Sequence, residues 1–260
     1  MQSELVEAVI LGIVQGITEF FPVSSTAHLI LFPWLFNWSG DVNTLMFDVG
    51  LHGGTLMALL LCFYRDWMQM LTRDRRKFIT IAVATIPAGV CGALFHDQVE
   101  HALRSPLIIA ASTMVFGIVM LIAERYSRQD KDNPSFMDAM VIGVAQAVAL
   151  IPGVSRSGIT ITTGLFRNLT RETAARFSFL LSTPVIGGAT LLEGRKLLKS
   201  QDAHHLDIFL VGFLAAFVSG FFAIKFLLHY LRNHPLTLFA YYRFFLAAII
   251  AIVWITRNPG

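Results

Sequence analysis

The sequence is poor in charged residues and in cysteine, and both shortages narrow the class of protein. Only 14% of its 260 residues are charged, whereas 55% are hydrophobic and the mean hydropathy is +0.64. This composition excludes an ordinary soluble globular domain and indicates an integral membrane protein. The two cysteines, Cys62 and Cys91, lie in apolar runs, so we expect buried free thiols rather than a metal or redox site.

Features of secreted and of nucleic-acid-binding proteins are also missing. The first residues, MQSELVEAVILG, include acidic side chains and no basic ones, so we expect no cleaved signal peptide. The net charge of +3 is small, and the 22 Phe show no pattern typical of base stacking. We therefore expect no nucleic-acid partner.

Six apolar runs approach the length of a membrane-spanning helix, which is about 20 residues for a hydrocarbon core of about 30 Å. They lie at 44–63, 78–95, 106–123, 174–192, 207–228 and 238–256. Two shorter apolar segments, 4–21 and 136–151, end at proline-containing motifs and are too interrupted to cross. The predicted fold is an all-α polytopic membrane protein with six transmembrane helices and two re-entrant helical hairpins.

The two interrupted segments carry nearly the same polar motif. Residues 12–28 are GIVQGITEFFPVSSTAH, and residues 143–160 are GVAQAVALIPGVSRSGIT. In each motif an apolar helix containing a glutamine ends near a proline, Pro22 or Pro152, and a cluster of hydroxyl side chains follows. Polar and charged side chains within a membrane are costly unless they serve a site, so the motifs locate the function.

The polar segment 125–135 divides the chain into two halves of similar plan. We predict one membrane domain, 1–260, made of repeat 1 (1–124), this linker and repeat 2 (136–260). Each half has a broken hairpin followed by three spans, and an odd number of crossings inverts the second copy relative to the first. Chance similarity between two helices rich in Gly and Ser is the alternative.

The distribution of Lys and Arg over the loops predicts the orientation. The loop 65–77, RDWMQMLTRDRRK, is rich in arginine, and placing it in the cytoplasm puts more basic residues inside than outside. Alternation then puts both chain ends outside, and the first broken hairpin enters from the outer face. We therefore expect the site to face the outer side.

Both motifs predict an internal polar pocket, because backbone that leaves a helix within the bilayer must be covered by protein or water. The hydroxyl clusters have N-cap chemistry, and a helix that restarts there points its positive end at an anion. The residues predicted to bind that anion are the polar side chains of the two motifs: Gln15, Ser24, Thr26, Ser155, Ser157 and Thr160.

Arg156 and Glu19 are the two charged side chains with the clearest chemistry. The planar guanidinium of Arg156 binds phosphate in a bidentate way, although a buried ion pair with Glu19 is the alternative and would also join the motifs. Glu19 lies four residues after Gln15, on the same helix face. It can hold a divalent cation with the Gln15 carbonyl and substrate phosphate, or act as a base, or lie there by chance.

His28 lies three residues after Ser25, within one helical turn. The two can serve as nucleophile and base, or His28 can itself attack phosphorus or protonate a leaving group. A packing role for His28 is the alternative. Asp48 and His52 are weaker candidates, which line the outer mouth or cap a helix.

GIVQGITEFFPVSSTAHLI and PGVSRSGITITTG resemble the two signature regions of the bacterial undecaprenyl-diphosphate phosphatase family, which is linked to bacitracin resistance. The similarity extends over nearly the whole chain and includes FDVGLHGGT, RFSFLLSTP and YYRFFLAAI. It implies hydrolysis of undecaprenyl diphosphate to undecaprenyl phosphate and inorganic phosphate, which recycles the lipid carrier of cell-wall synthesis. The residues that it implies as catalytic are Glu19, Ser25, His28 and Arg156.

The resemblance further implies a divalent cation, Mg²⁺ or Ca²⁺, a homodimer, and a place in the bacterial inner membrane. Gln15 stands where some members of the family have Glu, which leaves Glu19 as the main carboxylate for a cation. We expect attack by Ser25 assisted by His28, ahead of direct attack by His28 or by water.

Two other functional classes share this architecture. A polyprenyl-phosphate flippase or transporter can use the same anion site, and a channel-like anion binder is a third class. A Glu–Ser–His set beside an Arg favours the enzyme, because anion transport needs no nucleophile.

Overall fold

The structure, a computed structural model, describes residues 2–103, 105–199 and 206–257. Within these ranges the regular elements are all helical. The α-helices are α1 (Gln2–Phe20), α2 (Ser25–Phe36), α3 (Leu45–Cys62), α4 (Tyr64–Thr72), α5 (Arg75–Ala102), α6 (Pro106–Tyr126), α7 (Phe136–Gln146), α8 (Arg156–Phe166), α9 (Arg171–Lys199), α10 (Leu206–Asn233) and α11 (Thr237–Arg257). Short 3₁₀ turns cover Asp41–Asn43 and Ala147–Leu150.

In the part of the chain that the structure describes, five helices are long and apolar enough to span a membrane. They are α5, α6, α9, α10 and α11, which coincide with five of the six predicted spans. The predicted span 44–63 differs, because α3 reaches spanning length only together with α4, from which it is bent by 66°. The bend lies at Phe63, and the charged residues Arg65 and Asp66 follow it.

The helices before the two breaks each pack closely on a spanning helix through a glycine. A Cβ atom added to Gly12 on α1 would lie 2.5 Å from the carbonyl oxygen of Gly212 on α10. A Cβ atom added to Gly143 on α7 would lie 2.1 Å from the carbonyl oxygen of Ala84 on α5. These distances exclude any side chain, so the helix backbones touch, and the helix before each break is held against a spanning helix.

Asp138 anchors the start of α7. It forms a capping box with Ser135, whose amide and hydroxyl donate to it at 3.0 and 2.8 Å, and Arg167 Nε donates at 2.7 Å. Burial opposes ionisation of Asp138, but the hydrogen bonds from Arg167 and Ser135 and the charge of Lys131 outweigh it and lower the pKa to about 2. The linker, α7 and the end of α8 are thereby tied together.

The two cysteines are free, as predicted, but each is only partly buried. Cys62 lies at the end of α3 and Cys91 within α5. Large apolar side chains are exposed along the spanning helices, such as Ile86, Val115 and Phe222. Such outward-facing apolar surface is typical of helices in contact with lipid.

Candidate active site

Two breaks in the helices, at 21–24 and 151–155, place the candidate site. The helix after each break begins at a serine N-cap: Ser24 accepts from the amide of Ala27 at 3.4 Å, and Ser155 from that of Gly158 at 3.1 Å. Both serines have positive φ angles, 76° and 71°. Such a conformation costs a residue with a Cβ atom about 1–3 kcal/mol. The predicted restart of a helix after each motif is confirmed.

Arg243 on α11 holds the two breaks together. Its side chain is fully buried, and its guanidinium donates to the carbonyl oxygens of Pro22 at 3.1 Å, Gly153 at 2.7 Å and Val154 at 3.1 Å. A further bond runs from Nε to the carbonyl oxygen of Thr113 at 3.2 Å. Carbonyl groups at a break have left the helical bonding pattern, and burying them unpaired is costly. One guanidinium therefore supplies hydrogen-bond donors to carbonyl oxygens of both motifs.

Glu19 is the centre of the site. Its Oε1 accepts from Arg156 Nη2 at 2.6 Å, and its Oε2 accepts from Ser25 Oγ at 2.5 Å and from Gln15 Nε2 at 3.1 Å. Glu19, Ser25 and Gln15 are buried, and the side chain of Arg156 is 14% exposed. The structure thus forms the ion pair that the sequence offered as the alternative role of Arg156, and it joins the two motifs.

His52 on α3 also faces this carboxylate. Its Nδ1 donates to the carbonyl oxygen of Asp48 at 2.7 Å, and its Nε2 lies 3.6 Å from Glu19 Oε2. A carbonyl oxygen can only accept, so Nδ1 carries the hydrogen. The sequence ranked His52 as a weak candidate at the mouth of the pocket, whereas the structure places it within reach of Glu19.

A cavity of about 250 Å³ opens beside Glu19. The first turns of α2 and α8 line it with polar side chains, which are Ser24, Ser25, Thr26, Ser155 and Arg156. Arg156 Nη1 is buried and has no hydrogen-bond partner. Two positive helix ends and the free Nη1 donor of Arg156 favour binding of an anion, while Glu19 balances the charge of the guanidinium itself.

Ser157 and Thr160 do not line this cavity. The hydroxyl of Ser157 donates to the carbonyl oxygen of Phe21 at 3.0 Å, and that of Thr160 donates to the carbonyl oxygen of Arg156 at 2.7 Å. Thr160 also bonds the hydroxyl of Ser178 at 2.6 Å. In the structure both residues therefore join elements around the site instead of facing its interior.

His28 contacts α11 instead of Ser25. Its Nδ1 donates to the carbonyl oxygen of Ser24 at 2.7 Å, and its Nε2 accepts from the hydroxyl of Tyr242 at 2.6 Å. The Ser25–His28 pair predicted from their spacing is not formed, because Ser25 reaches across the break to Glu19 while His28 bonds its own helical turn. Glu19 takes the position of a base next to Ser25.

The donors for the expected cation are few. Among the described residues, no group of three or more His, Cys, Asp or Glu side chains is arranged to hold a metal ion. However, Gln15 Oε1 is buried without a hydrogen-bond partner, on the same amide that contacts Glu19. A carboxylate and an amide oxygen are hard ligands that suit Mg²⁺ when substrate phosphate supplies the rest. These two oxygens would suit a cation shared with the substrate, although only Glu19 lines the cavity and Gln15, predicted to bind the substrate, does not.

Three residues of the site were missed or underrated in the sequence. Arg243 lies in an apolar span, where an arginine is costly and marks a role, and this was the signal to follow. Gln146 lines the cavity and occupies the same place in the second motif as Gln15 in the first. His52 was only a weak candidate in the sequence, because its contact with Glu19 depends on how α3 packs against α1.

The arrangement suits phosphoryl transfer. A hydroxyl bonded to a carboxylate can lose its proton to that carboxylate as it attacks. A guanidinium and two helix N-termini can neutralise the charge on transferred phosphoryl oxygens.

Comparison with known proteins agrees with this chemistry. An undecaprenyl-diphosphatase of Thermodesulfovibrio yellowstonii is 52% identical over 256 residues, which cover 98% of this chain and 100% of that protein. Proteins of the same name from Moorella thermoacetica and Desulforudis audaxviator are 46% and 45% identical, each over 97% of this chain and over 99% and 98% of their own length. Residues 8–249 match the family described as bacitracin resistance protein BacA, and the chain belongs to that family.

Proposed function

We propose that this protein hydrolyses undecaprenyl diphosphate to undecaprenyl phosphate and inorganic phosphate, and so recycles the lipid carrier of cell-wall synthesis. The observation that carries the proposal is the hydrogen bond from Ser25 to Glu19 beside the Arg156 guanidinium, in one cavity. The name shared by nearly full-length relatives supports the same substrate. A site for binding alone would need no activated hydroxyl.

Ser25 is the proposed nucleophile, and Glu19 is its base. The Ser25 hydroxyl gives its proton to Glu19 Oε2, 2.5 Å away, as its oxygen attacks the terminal phosphorus. The bond from that phosphorus to the bridging oxygen breaks, and the lipid monophosphate leaves. Water then attacks the phosphoserine, Glu19 returns its proton to the serine oxygen, and inorganic phosphate is released.

Arg156 neutralises charge in both steps. Its Nη2 is bonded to Glu19, and its unpartnered Nη1 can donate to an oxygen of the transferred phosphoryl group. The structure weakens the case for His28 as the nucleophile, because both of its ring nitrogens are hydrogen-bonded, one to Ser24 and the other to Tyr242.

The proposal includes a divalent cation, Mg²⁺ or Ca²⁺, held by Glu19 and the Gln15 amide oxygen together with the substrate. When bound, it would supply further positive charge to the phosphoryl oxygens. Phosphate release should fall when a chelator is added and return with added Mg²⁺ or Ca²⁺. Full activity of protein shown by elemental analysis to be free of divalent metal would remove the cation from the proposal.

The purified protein in detergent, given undecaprenyl diphosphate, tests the proposal by phosphate release. Ser25→Ala and Glu19→Gln should each lower the rate by about 100-fold or more, because each removes one partner of the attacking pair. Ser127→Ala, a change in the linker, is the matched control. Substrate labelled in its terminal phosphate should leave a quenched, single-turnover sample labelled on Ser25. An active enzyme that never carries the label would favour attack by water.

The same assay separates hydrolysis from transport. Detergent removes the two-sided membrane that a flippase requires, so phosphate release reports chemistry alone. The flippase alternative gains no support from the relatives described above, whose shared name is that of a hydrolase. If the wild-type protein released no phosphate in detergent, the flippase alternative would have to be considered again.

We place the protein in the bacterial inner membrane, with α1–α2 and α7–α8 as re-entrant hairpins of an inverted repeat and the site open to the periplasm. The matched packing of α1 on α10 and α7 on α5 supports the repeat, and the basic loop 65–77 supports the orientation. After both native cysteines are replaced by serine, a membrane-impermeant maleimide applied to whole cells should label Ser39→Cys and not Asn133→Cys. The opposite labelling would reverse the orientation.

We also propose a homodimer, as the resemblance to the family implies. Exposed apolar side chains on the spanning helices, such as Phe222 and Phe245, can be covered either by lipid or by a second copy. Native mass spectrometry of the detergent-solubilised protein distinguishes a dimer from a monomer.

A further inference from the structure

Gln146 has an unusual environment for a buried amide. It ends α7, is 2% exposed and lines the cavity beside Glu19. Neither its Nε2 nor its Oε1 has a hydrogen-bond partner. Buried polar groups are nearly always paired, because an unpaired one loses its bonds to water without replacement. A ligand in the cavity that pairs with this amide would recover that loss.

Comparison of the two motifs shows why the amide is unpaired. In the first motif the amide of Gln15 donates to Glu19, four residues later. The position four residues after Gln146 is Leu150, which also lines the cavity and offers no acceptor. The amide donor is therefore paired with a carboxylate in the first motif, whereas in the second motif it has no anionic partner.

Arg156 brings a second free donor to the same place. Its Nη1 is buried and unpartnered, and both Arg156 and Gln146 line the cavity from the two sides of one break. Two unpaired donors that line one cavity suit a single acceptor-rich group such as a phosphate.

We propose that Gln146 is a substrate-binding residue, whose Nε2 donates to a phosphate oxygen of the polyprenyl diphosphate headgroup next to Arg156 Nη1. This inference rests on the proposed function and extends it to a residue that takes no part in proton transfer. We expect Gln146 to affect substrate affinity more than the rate of the chemical step. Its contact with the headgroup is made in the bound substrate as well as in the transition state.

Gln146→Met tests the assignment, since Met has similar length and removes both polar atoms. The KM for undecaprenyl diphosphate should rise by about tenfold or more, with a smaller change in kcat. Without ligand, the variant should melt at the wild-type temperature or above it, because an unpaired polar group has been removed. Methylenediphosphonate, which cannot be hydrolysed, should stabilise the wild type and have little effect on the variant.

Ser127→Ala is the matched control, because Ser127 Oγ is also buried and unpartnered but does not line the cavity. Its KM should equal that of the wild type. A Gln146→Met protein with wild-type KM overturns the inference, and so does a lower melting temperature without ligand, which would assign the amide a structural role. If the wild type releases no phosphate, the proposed function fails separately, and stabilisation by methylenediphosphonate that Gln146→Met abolishes would still support headgroup binding.

Discussion

Arg156 and Glu19 are 137 residues apart in the sequence, and their side chains meet with Nη2 2.6 Å from Oε1. The contact joins the two helix breaks and also places a guanidinium beside the carboxylate that accepts from Ser25. A buried ion pair stabilises a fold only when both charges are well bonded, and Glu19 has further donors in Ser25 and Gln15. The contact through Nη2 therefore gives Arg156 a structural role, and it leaves Nη1 free for the catalytic role proposed above.

Removing Arg156 should damage stability and activity together. Arg156→Ala leaves the Glu19 charge buried and unpaired, which should cost about 3–5 kcal/mol of unfolding free energy. Phosphate release should fall by about 100-fold or more, because the transferred group loses its main positive partner. Arg156→Lys should recover part of the stability and little of the rate, since an ammonium cannot contact the carboxylate and the phosphate in the same fork geometry. Thermal melting and the phosphate assay measure the two effects.

The double variant Arg156→Ala/Glu19→Gln separates the two roles. Neutralising the carboxylate should restore much of the melting temperature while the protein stays inactive. Arg176→Ala is the control, because its ion pair with Asp66 is on the surface and should contribute no more than about 1 kcal/mol. A double variant as unstable as Arg156→Ala alone would show that the pair does not govern stability.

Arg243 should prove essential for folding although it lies outside the cavity lining. Arg243→Met leaves the carbonyl oxygens of Pro22, Gly153 and Val154 without this donor, and each unsatisfied buried group costs about 1–3 kcal/mol. We expect a large loss of folded protein in size-exclusion chromatography and melting. Arg243→Lys should not rescue it, since one ammonium cannot reach carbonyls on both breaks and on α6. Arg232→Ala, which removes a surface pair with Glu172, is the matched control. A well-folded Arg243→Met protein would contradict this role.

The residues that the sequence predicted well are those with local signals. Apolar length located the spanning helices, and proline followed by serine located both breaks, because these features depend on neighbouring residues. The contacts of His28 with Tyr242 and of His52 with Glu19 join distant segments, and single-sequence spacing carries no information about them. Spacing suggested a Ser25–His28 pair, and the tertiary contact with Glu19 displaced it.

At the two N-cap serines we expect glycine variants to be more stable than alanine variants, which is unusual. Ser24 and Ser155 combine a capping hydroxyl with a positive φ angle, 76° and 71°. Alanine loses the cap and keeps the strain, so it should cost about 1–2 kcal/mol, whereas glycine relieves the strain and should cost only a few tenths. The melting temperature of each Gly variant should therefore exceed that of the matching Ala variant.

Ser135 is the control for this comparison, because it caps α7 with a φ of −71° and has no such strain. The advantage of Gly over Ala should be smaller there than at Ser24 or Ser155. Equal advantages at the three caps would indicate that the positive φ angles carry no cost.

Asp138 should make stability depend on acid pH in a defined direction. Its pKa is lowered to about 2, from an ordinary value of about 3.9, so the ionised form is favoured by folding. The stabilisation is complete above the ordinary pKa and is lost as the pH falls through the folded value. Asp138→Asn removes the charge, so the gap in melting temperature between wild type and variant should be constant from about pH 5 to 8 and narrow below about pH 4. Asp130→Asn, which disturbs only an exposed pair with Arg128, is the control and should melt close to the wild-type temperature at every pH. A melting-temperature gap for Asp138→Asn that widens in acid would contradict the assignment.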